Sequence, residues 1–383
     1  MMNRCFLILE DGSLFPGRSF GHPPPTVSEL TQEGSPKTPA GEVVFNTGMA
    51  GYHEILTDPS YSGQIIVMTY PHIGNYGTDE DWTEYGPGEG RRWTKLKAAG
   101  IVVRCLYSGP IPKGRKSLDR FLKEYKTAGI TDVDTRSLTL KIRTGGSPIG
   151  IIVRPARGET LSGEELDTVI DYLRRYPRME GCDLVSGLGT EKIVVENRDG
   201  SSHICLVDCG VKANIVRELV GLGCRVSVVP NRIESEEVLS LAPDGILFSN
   251  GPGDPAVLDH LIKLAQKLVD LKPVFGICLG HQIICLALGA KTFKMKFGHH
   301  GVNNPVRDEN TGIILITSQN HGFSVDEATL PEECRIWFRN ANDRTIEGIT
   351  HERLPVLTAQ FHPEAAPGPR DSRWIFERFL ERL

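Results

Sequence analysis

The chain has 383 residues, enough for roughly two to three domains at about 150 residues each. Hydrophobic residues make up 39% and charged residues 24%, and 43 basic against 48 acidic side chains leave a net charge of −5. This is the composition of an ordinary globular protein, with no basic field for nucleic acid or anionic lipid. It has no apolar run of the roughly 18 to 20 residues that a membrane helix needs. The nine cysteines are odd in number and lack a Cys-x-x-Cys pair, which predicts reduced thiols in a cytoplasmic protein, not a disulfide framework or a zinc site.

From the N-terminus, Cys5 to Leu9 is apolar but is stopped by Glu10 and Asp11, too soon for a signal peptide. Residues 1–155 read as a β-rich α+β domain. Strands are predicted at Gly41–Asn46, Gln64–Thr69 and Gly100–Arg104, with a helix at Ser117–Lys126 that has Ser117 as its N-cap. The stretch His22–Ala40 holds five prolines and reads as an exposed loop. Residues 156–200 are polar and read as a linker region carrying one helix, Glu164–Arg175.

From 201 to 383 strands alternate with helices. Strands are expected at His203–Asp208, Arg225–Pro230, Gly245–Phe248 and Val274–Ile277. Between and after them come helices at Ala213–Leu222, Ser235–Leu241 (Ser235 as N-cap), Ala256–Leu271 and Leu279–Leu288. Further strands at Ile313–Thr317, Arg335–Arg339 and Val356–Phe361 precede a terminal helix, Arg373–Leu383. The alternation predicts an α/β domain: an open, mostly parallel sheet with helices on both faces.

Three segments carry chemistry. Val274–Ile277 runs straight into Gly276-Ile277-Cys278-Leu279-Gly280 and then a helix, the nucleophile-elbow pattern with cysteine in place of serine. Small neighbours leave room for a strained turn. The helix N-terminus favours a thiolate, and the Leu279 N–H points where an oxyanion would form. His362, in Phe361-His362-Pro363-Glu364, follows the last predicted strand and so should reach the same sheet edge as Cys278. Pro363 keeps His362 extended, so Glu364 falls on the same face and can orient the imidazole. Ser249-Asn250-Gly251-Pro252-Gly253 ends another strand at this edge, where its glycines permit close backbone approach to a ligand and a second oxyanion donor. Each segment has a plain alternative: a buried cysteine at a turn, a solvated turn, and an ordinary turn before a helix. It is their convergence that points to acyl transfer. His299-His300 could pair on a metal, but neighbours on a strand point to opposite faces and no third ligand is apparent. No metal site is expected.

Together these segments resemble the class I, triad-type glutamine amidotransferases. Phe45 to Tyr61, Thr69-Tyr70-Pro71-His72-Ile73-Gly74-Asn75, Asp134-Thr135-Arg136, Lys294 to Gly301 and Gln319-Asn320-His321-Gly322-Phe323 narrow the resemblance to the small subunits of carbamoyl phosphate synthetase, over nearly the whole chain. The resemblance implies hydrolysis of L-glutamine to glutamate and ammonia. It also implies a large synthetase subunit as partner, which joins ammonia to bicarbonate with ATP for arginine and pyrimidine biosynthesis, in a heterodimer open to higher assembly. It implies Cys278 as nucleophile, His362 as base and acid, and Glu364 as its orienting group. Gly251 and Leu279 would form the oxyanion hole, with glutamine contacts at Gly253, Gln282, Asn320, Gly322 and Phe323. Some relatives carry a serine contact where this chain has Gly48, so Thr47 or a backbone group would have to replace it. No cofactor is expected on this chain, which lacks Gly-Lys and Gly-x-Gly-x-x-Gly; ATP and Mg are expected only on the partner. Two other readings stay open: a stand-alone γ-glutamyl hydrolase of the same fold, and a non-catalytic stabilising subunit.

Overall fold

The computed structural model describes residues 3–30, 40–86 and 96–383. Packing divides the chain into two units. The first takes the described residues up to Thr83 and from Leu96 to Met179; the second takes Glu84, Tyr85 and Gly86 together with Glu180–Leu383.

The first unit is built on a closed seven-stranded barrel. Its strands run in the order Arg4–Leu9, Leu14–Gly21, Ala128–Thr131, Gly100–Val102, Gln64–Met68, Ala40–Asn46 and Ile149–Val153, and the last pairs back onto the first. Closure leaves the barrel no free edge. Strand Ala40–Asn46 lies parallel to Gln64–Met68, and both are almost wholly buried, which is why they read as continuous apolar runs. Helix Leu118–Glu124 is capped as expected, with the Ser117 hydroxyl accepting from Arg120 N at 3.3 Å, and it buries Phe121 and Leu122 against Phe20. Ser162 and Glu165 form a capping box at the start of helix Gly163–Arg175. That helix buries Val169 and Leu173 in a cluster with Phe6, Ile8 and Ile151, so it belongs to the core of the first unit.

Part of the stretch expected as an exposed loop is otherwise. Residues 27–30 form a helical turn whose Val27 and Leu30 join the same cluster. A loop assignment weighted by prolines overlooked two apolar residues three apart, the spacing that shares a helix face. Residues 31–39 of that stretch lie outside the described residues.

The second unit is a ten-stranded sheet. Five strands are parallel, in the order Arg225–Pro230, His203–Asp208, Gly245–Phe248, Val274–Ile277 and Val356–Ala359. Val194–Glu196 adds an antiparallel edge. An antiparallel group, Ile346–His351, Cys334–Asn340, Lys291–Asp308 and Ile314–Asp326, extends the other side. Along His203–Asp208 the side chains alternate between two cores. Ile204 and Leu206 pack with Phe275, Phe376 and Phe379; Cys205 and Val207 pack with Ile246, Phe248, Leu261 and Ile283. Helices therefore cover both faces of the parallel part, as the alternation of elements predicts. Boundaries move in detail. The segment expected as helix Ala256–Leu271 is a 3-10 turn, Pro255–Val257, followed by helix Asp259–Leu268. Glu234, not Ser235, is the N-cap of helix Ser235–Ser240, and the Ser235 hydroxyl turns to Glu236 instead.

Register fixes the functional edge. Val207 pairs with Phe248, Phe248 with Gly276, and Ile277 with Ala359, so the loops that follow these strands leave the sheet at one level. Gly280 is what lets the helix begin so close to the sheet. A Cβ there would stand 2.0 Å from the Phe248 carbonyl oxygen, and the Gly280 N–H instead donates to Ser249 O at 3.1 Å. Gly280→Ala is expected to destabilise the fold by roughly 2–3 kcal/mol through backbone displacement. Chemical denaturation of the two proteins measures this, and an unchanged midpoint would contradict it.

Candidate active site

Cys278 sits between strand Val274–Ile277 and helix Leu279–Ala287, at φ 54° and ψ −105°. A side chain at positive φ costs about 1–3 kcal/mol and persists only where its surroundings enforce it. Here the Cys278 N–H donates to Ala359 O at 2.8 Å, and the Cys278 carbonyl accepts from Gln282 N at 3.2 Å. A Cβ on Gly276 would stand 2.6 Å from the Gly280 backbone, so both glycines serve the tight turn. The thiol is 2% exposed and lies 3.6 Å from Asn320 O.

His362 arrives on extended chain beyond strand Val356–Ala359, anchored by its N–H to Ser318 O at 2.9 Å. Its Nδ1 is 2.6 Å from Glu364 Oε1, as the spacing of two in an extended segment implies. Its Nε2 has no nitrogen or oxygen partner among the described residues and is the ring atom left for the Cys278 thiol. Burial opposes a charge on the ring. The Glu364 carboxylate and the Cys278 sulfur outweigh it and raise the imidazole to about 10. Glu364 is fully buried. Burial alone would raise its carboxyl, but the Lys212 ammonium and His362 bring it down to about 2.

Lys212 is the participant that motif reasoning missed. Its side chain is 2% exposed, with Nζ 3.1 Å from Glu364 Oε1 and donating to Ala365 O. Its backbone N–H donates to Asn250 Oδ1 at 2.9 Å. The signal available was positional: Gly210-Val211-Lys212 follows strand His203–Asp208 at the same edge as the elbow.

The remaining expected residues divide by unit. In the second unit, Gly251 stands where a Cβ would meet Cys209 O at 2.2 Å and Leu279 Cδ2 at 2.8 Å, so close packing of the two turns excludes a side chain there. Gly253 has φ +93°, a conformation that favours glycine. Gln282 donates both amide hydrogens inside the protein, to Phe323 O at 2.8 Å and Gln360 Oε1 at 2.9 Å. Asn320 Oδ1 is 2.9 Å from His300 Nδ1, which fixes how its amide faces. Gly322 and Phe323 follow on the same strand, and the Lys294 ammonium lies 4.9 Å over the Phe323 ring. Thr47 and Gly48 lie in the first unit, on the loop between strand Ala40–Asn46 and helix Tyr52–Thr57, where Gly48 N donates to Asn46 Oδ1 at 2.7 Å.

His299 and His300 have different partners, as opposite faces require. His299 does have companions that the sequence did not reveal: one atom each from His299, His321 and Glu347 lies within 4.8 Å of the others. The ring atoms are spoken for. His299 bonds Asp343 at 2.8 Å and faces Glu347 at 3.3 Å, while His321 bonds Phe323 O and Gln319, each at 2.8 Å. Burial works against a charge on His299, but the two carboxylates prevail and raise it to about 10. An imidazolium clamped by acids is the arrangement present. Of the other cysteines, Cys205, Cys209 and Cys285 are buried in the cores, and burial pushes all three thiols up, Cys205 to about 12.

A cysteine at a strained elbow, with an imidazole and carboxylate at the same sheet edge, is the setting in which the comparisons with known proteins are informative. Residues 205–382 match the model for class-I glutamine amidotransferases, and residues 7–152 match that for the carbamoyl-phosphate synthase small chain, CPSase domain. The carbamoyl phosphate synthase small chain of Methanocaldococcus jannaschii is 44% identical over 98% of this chain and 98% of its own. That of Akkermansia muciniphila is 44% identical over 99% and 97%, and that of Escherichia coli K12 is 40% identical over 100% and 98%. The chain belongs to the carbamoyl phosphate synthase small-chain family. Both parts of the chain match, which separates it from amidotransferases that share only the second unit's motifs. Among the described residues no helix is long and apolar enough to cross a membrane.

The buried pair gives a pH signature. Folding raises His362 from its ordinary 6.5 to about 10. The stability it contributes is therefore complete below about pH 6.5 and is lost as pH rises through 10. Relative to His362→Gln, the native protein should lose unfolding free energy between those limits. Urea titrations at pH 6.5, 8 and 10 test this, and parallel curves for the two proteins would contradict it.

Proposed function

We propose that this chain is the glutamine-hydrolysing small subunit of a carbamoyl phosphate synthetase, delivering ammonia to a large synthetase subunit. The observation that carries the reading is the buried line Cys278, His362, Glu364, with Nδ1 to Oε1 at 2.6 Å and the cysteine forced to positive φ at a helix N-terminus. Nucleophile, base and orienting acid stand in the order acyl transfer needs.

In this reading the Cys278 sulfur attacks the side-chain amide carbon of glutamine. Backbone N–H groups of Leu279 and Gly251 receive the oxyanion, an arrangement in which each donor contributes roughly 3 kcal/mol of transition-state stabilisation. The imidazolium of His362 passes its Nε2 proton to the leaving ammonia, and a γ-glutamyl thioester remains. His362, now neutral, takes a proton from water, and the hydroxide releases glutamate. Glu364 keeps Nδ1 protonated throughout, so only Nε2 exchanges protons. Gln282 has both amide hydrogens committed within the protein, which leaves its carbonyl oxygen to accept from the substrate's ammonium. Gly253, Asn320, Gly322 and Phe323 supply the other contacts.

The partner would bind ATP and Mg and consume the ammonia with bicarbonate, for arginine and pyrimidine biosynthesis; this chain would bind no cofactor. Support for the partner is the match of residues 7–152 to the small-chain model. All nine cysteines are free thiols, which supports a reducing cytoplasm.

With the chain reconstituted on a synthetase large subunit, Cys278→Ser should lower glutamine-dependent synthesis at least about a thousandfold. Ammonia-dependent synthesis should stay within twofold. Retained glutamine use would remove Cys278 from the mechanism. Loss of both activities would mean that the substitution damages the assembly.

A further inference from the structure

The triad does not end at Glu364. Lys212 and Asn214 stand behind it; Asn214 is held by Glu84 and Lys212 by its neighbour Tyr85, residues that group with the second unit though they come from the N-terminal part of the chain. Glu84 is 1% exposed. Tyr85 forms an antiparallel bridge with Lys212, and Glu84 O accepts from Ala213 N at 3.0 Å. The carboxylate accepts from Asn214 N at 3.1 Å through Oε2 and pairs with Arg217 Nη1 at 2.9 Å through Oε1. It therefore caps the first turn of helix Ala213–Gly221, where an anion is favoured. Asn214 in turn donates from Nδ2 to Glu364 O at 2.5 Å. Lys212 is attracted by both carboxylates, and the two carboxylates repel one another.

Once Glu84 is ionised, on the alkaline side of about pH 8, the groups alternate in charge from the thiol outward: Cys278 sulfur, His362 imidazolium, Glu364, Lys212, Glu84, Arg217. We propose that Glu84 is a positioning residue for the amidase, fixing Glu364 through Asn214 and balancing Lys212 so that the Glu364 charge stays available to the His362 imidazolium. This rests on the amidase reading given above. A lone cation at Lys212 would compete with His362 for the same Glu364 oxygen, since both are bonded to Oε1. A second carboxylate on Lys212 relieves that competition.

A helix cap needs only an acceptor, and glutamine keeps one. Glu84→Gln therefore separates capping from charge. The groups that bear on the readout are Cys278, Glu364 and Lys212 around His362, and Arg217, Lys212 and Glu364 around Glu84. Burial pushes the Glu84 carboxyl up to about 8 against the pull of Lys212 and Arg217, so its charge is fully present on the alkaline side, where His362 also titrates.

The test is the pH profile of glutamine hydrolysis by the full chain on its large subunit. Removing a negative charge makes a nearby imidazolium a stronger acid. Glu84→Gln should therefore move the alkaline limb of kcat downward by about half a pH unit. KM should stay within twofold, because Glu84 touches no substrate. Glu84→Asp keeps the charge at shorter reach: its limb should coincide with that of the native enzyme while kcat falls severalfold. A Glu84→Gln limb superimposed on the native one overturns the proposal, as does a Glu84→Asp limb that moves equally. If Glu84→Gln does not fold, native kcat in Glu84→Asp overturns it. Cys278→Ser separates the two levels. An inactive Cys278→Ser beside a native-like Glu84→Gln removes Glu84 alone, whereas an active Cys278→Ser removes the amidase reading itself.

Discussion

Everything at the functional edge depends on one reversal of the backbone at residue 278. A parallel strand must become a helix within a single residue, and the sheet behind it leaves no room for a gradual turn. Gly280 meets the Phe248 carbonyl and Gly276 meets the Gly280 backbone, so neither tolerates a β-carbon. Of the three residues between them, the strain falls on the middle one, Cys278, held at φ 54°. Once that turn is fixed, the thiol, the free helix N-terminus and the neighbouring Gly251 turn are placed together, and the ring of His362 can be brought to the sulfur.

The second constraint is electrostatic. A wholly buried ion pair is costly unless every charge has a partner. The structure meets this by spreading charge along a line and by committing ring and carboxylate atoms to defined bonds. Nδ1 of His362 is committed to Glu364, which leaves Nε2 as the atom that can move a proton. Glu364 is committed to Lys212, which keeps it ionised. The same principle recurs around His299, where two acids clamp an imidazolium at the back of the strand that carries Asn320.

Local sequence was enough for what local chemistry determines. The strand-glycine-cysteine-glycine-helix run, the extended His-Pro-Glu, and the apolar strands of the parallel sheet each announce themselves within ten residues. The bulk of the second unit's antiparallel extension did not. Lys291–Asp308 and Ile314–Asp326 are long, half-buried strands with shifted registers, so apolar and polar residues lose their strict alternation. Lys212 and Glu84 were illegible for another reason. Glu84 stands in an acidic stretch that looks solvated and Lys212 is a lone charge at a turn, and only folding shows that both are sealed from water. Ser235 shows the opposite error: a residue suited to a cap beside a neighbour that occupies the cap position.

The few residues after Thr83 that pack with the second unit bear on how separable its chemistry is. A fragment cut from the chain at Glu180 would carry Cys278, His362 and Glu364. It would lack the carboxylate that faces Lys212 and Arg217 and caps the helix between them. In that fragment Lys212 would still pair with Glu364, but Asn214 N and Arg217 would lose the Glu84 carboxylate. Part of the electrostatic setting of Cys278 and His362 thus comes from a residue that precedes the stretch matching the amidotransferase family.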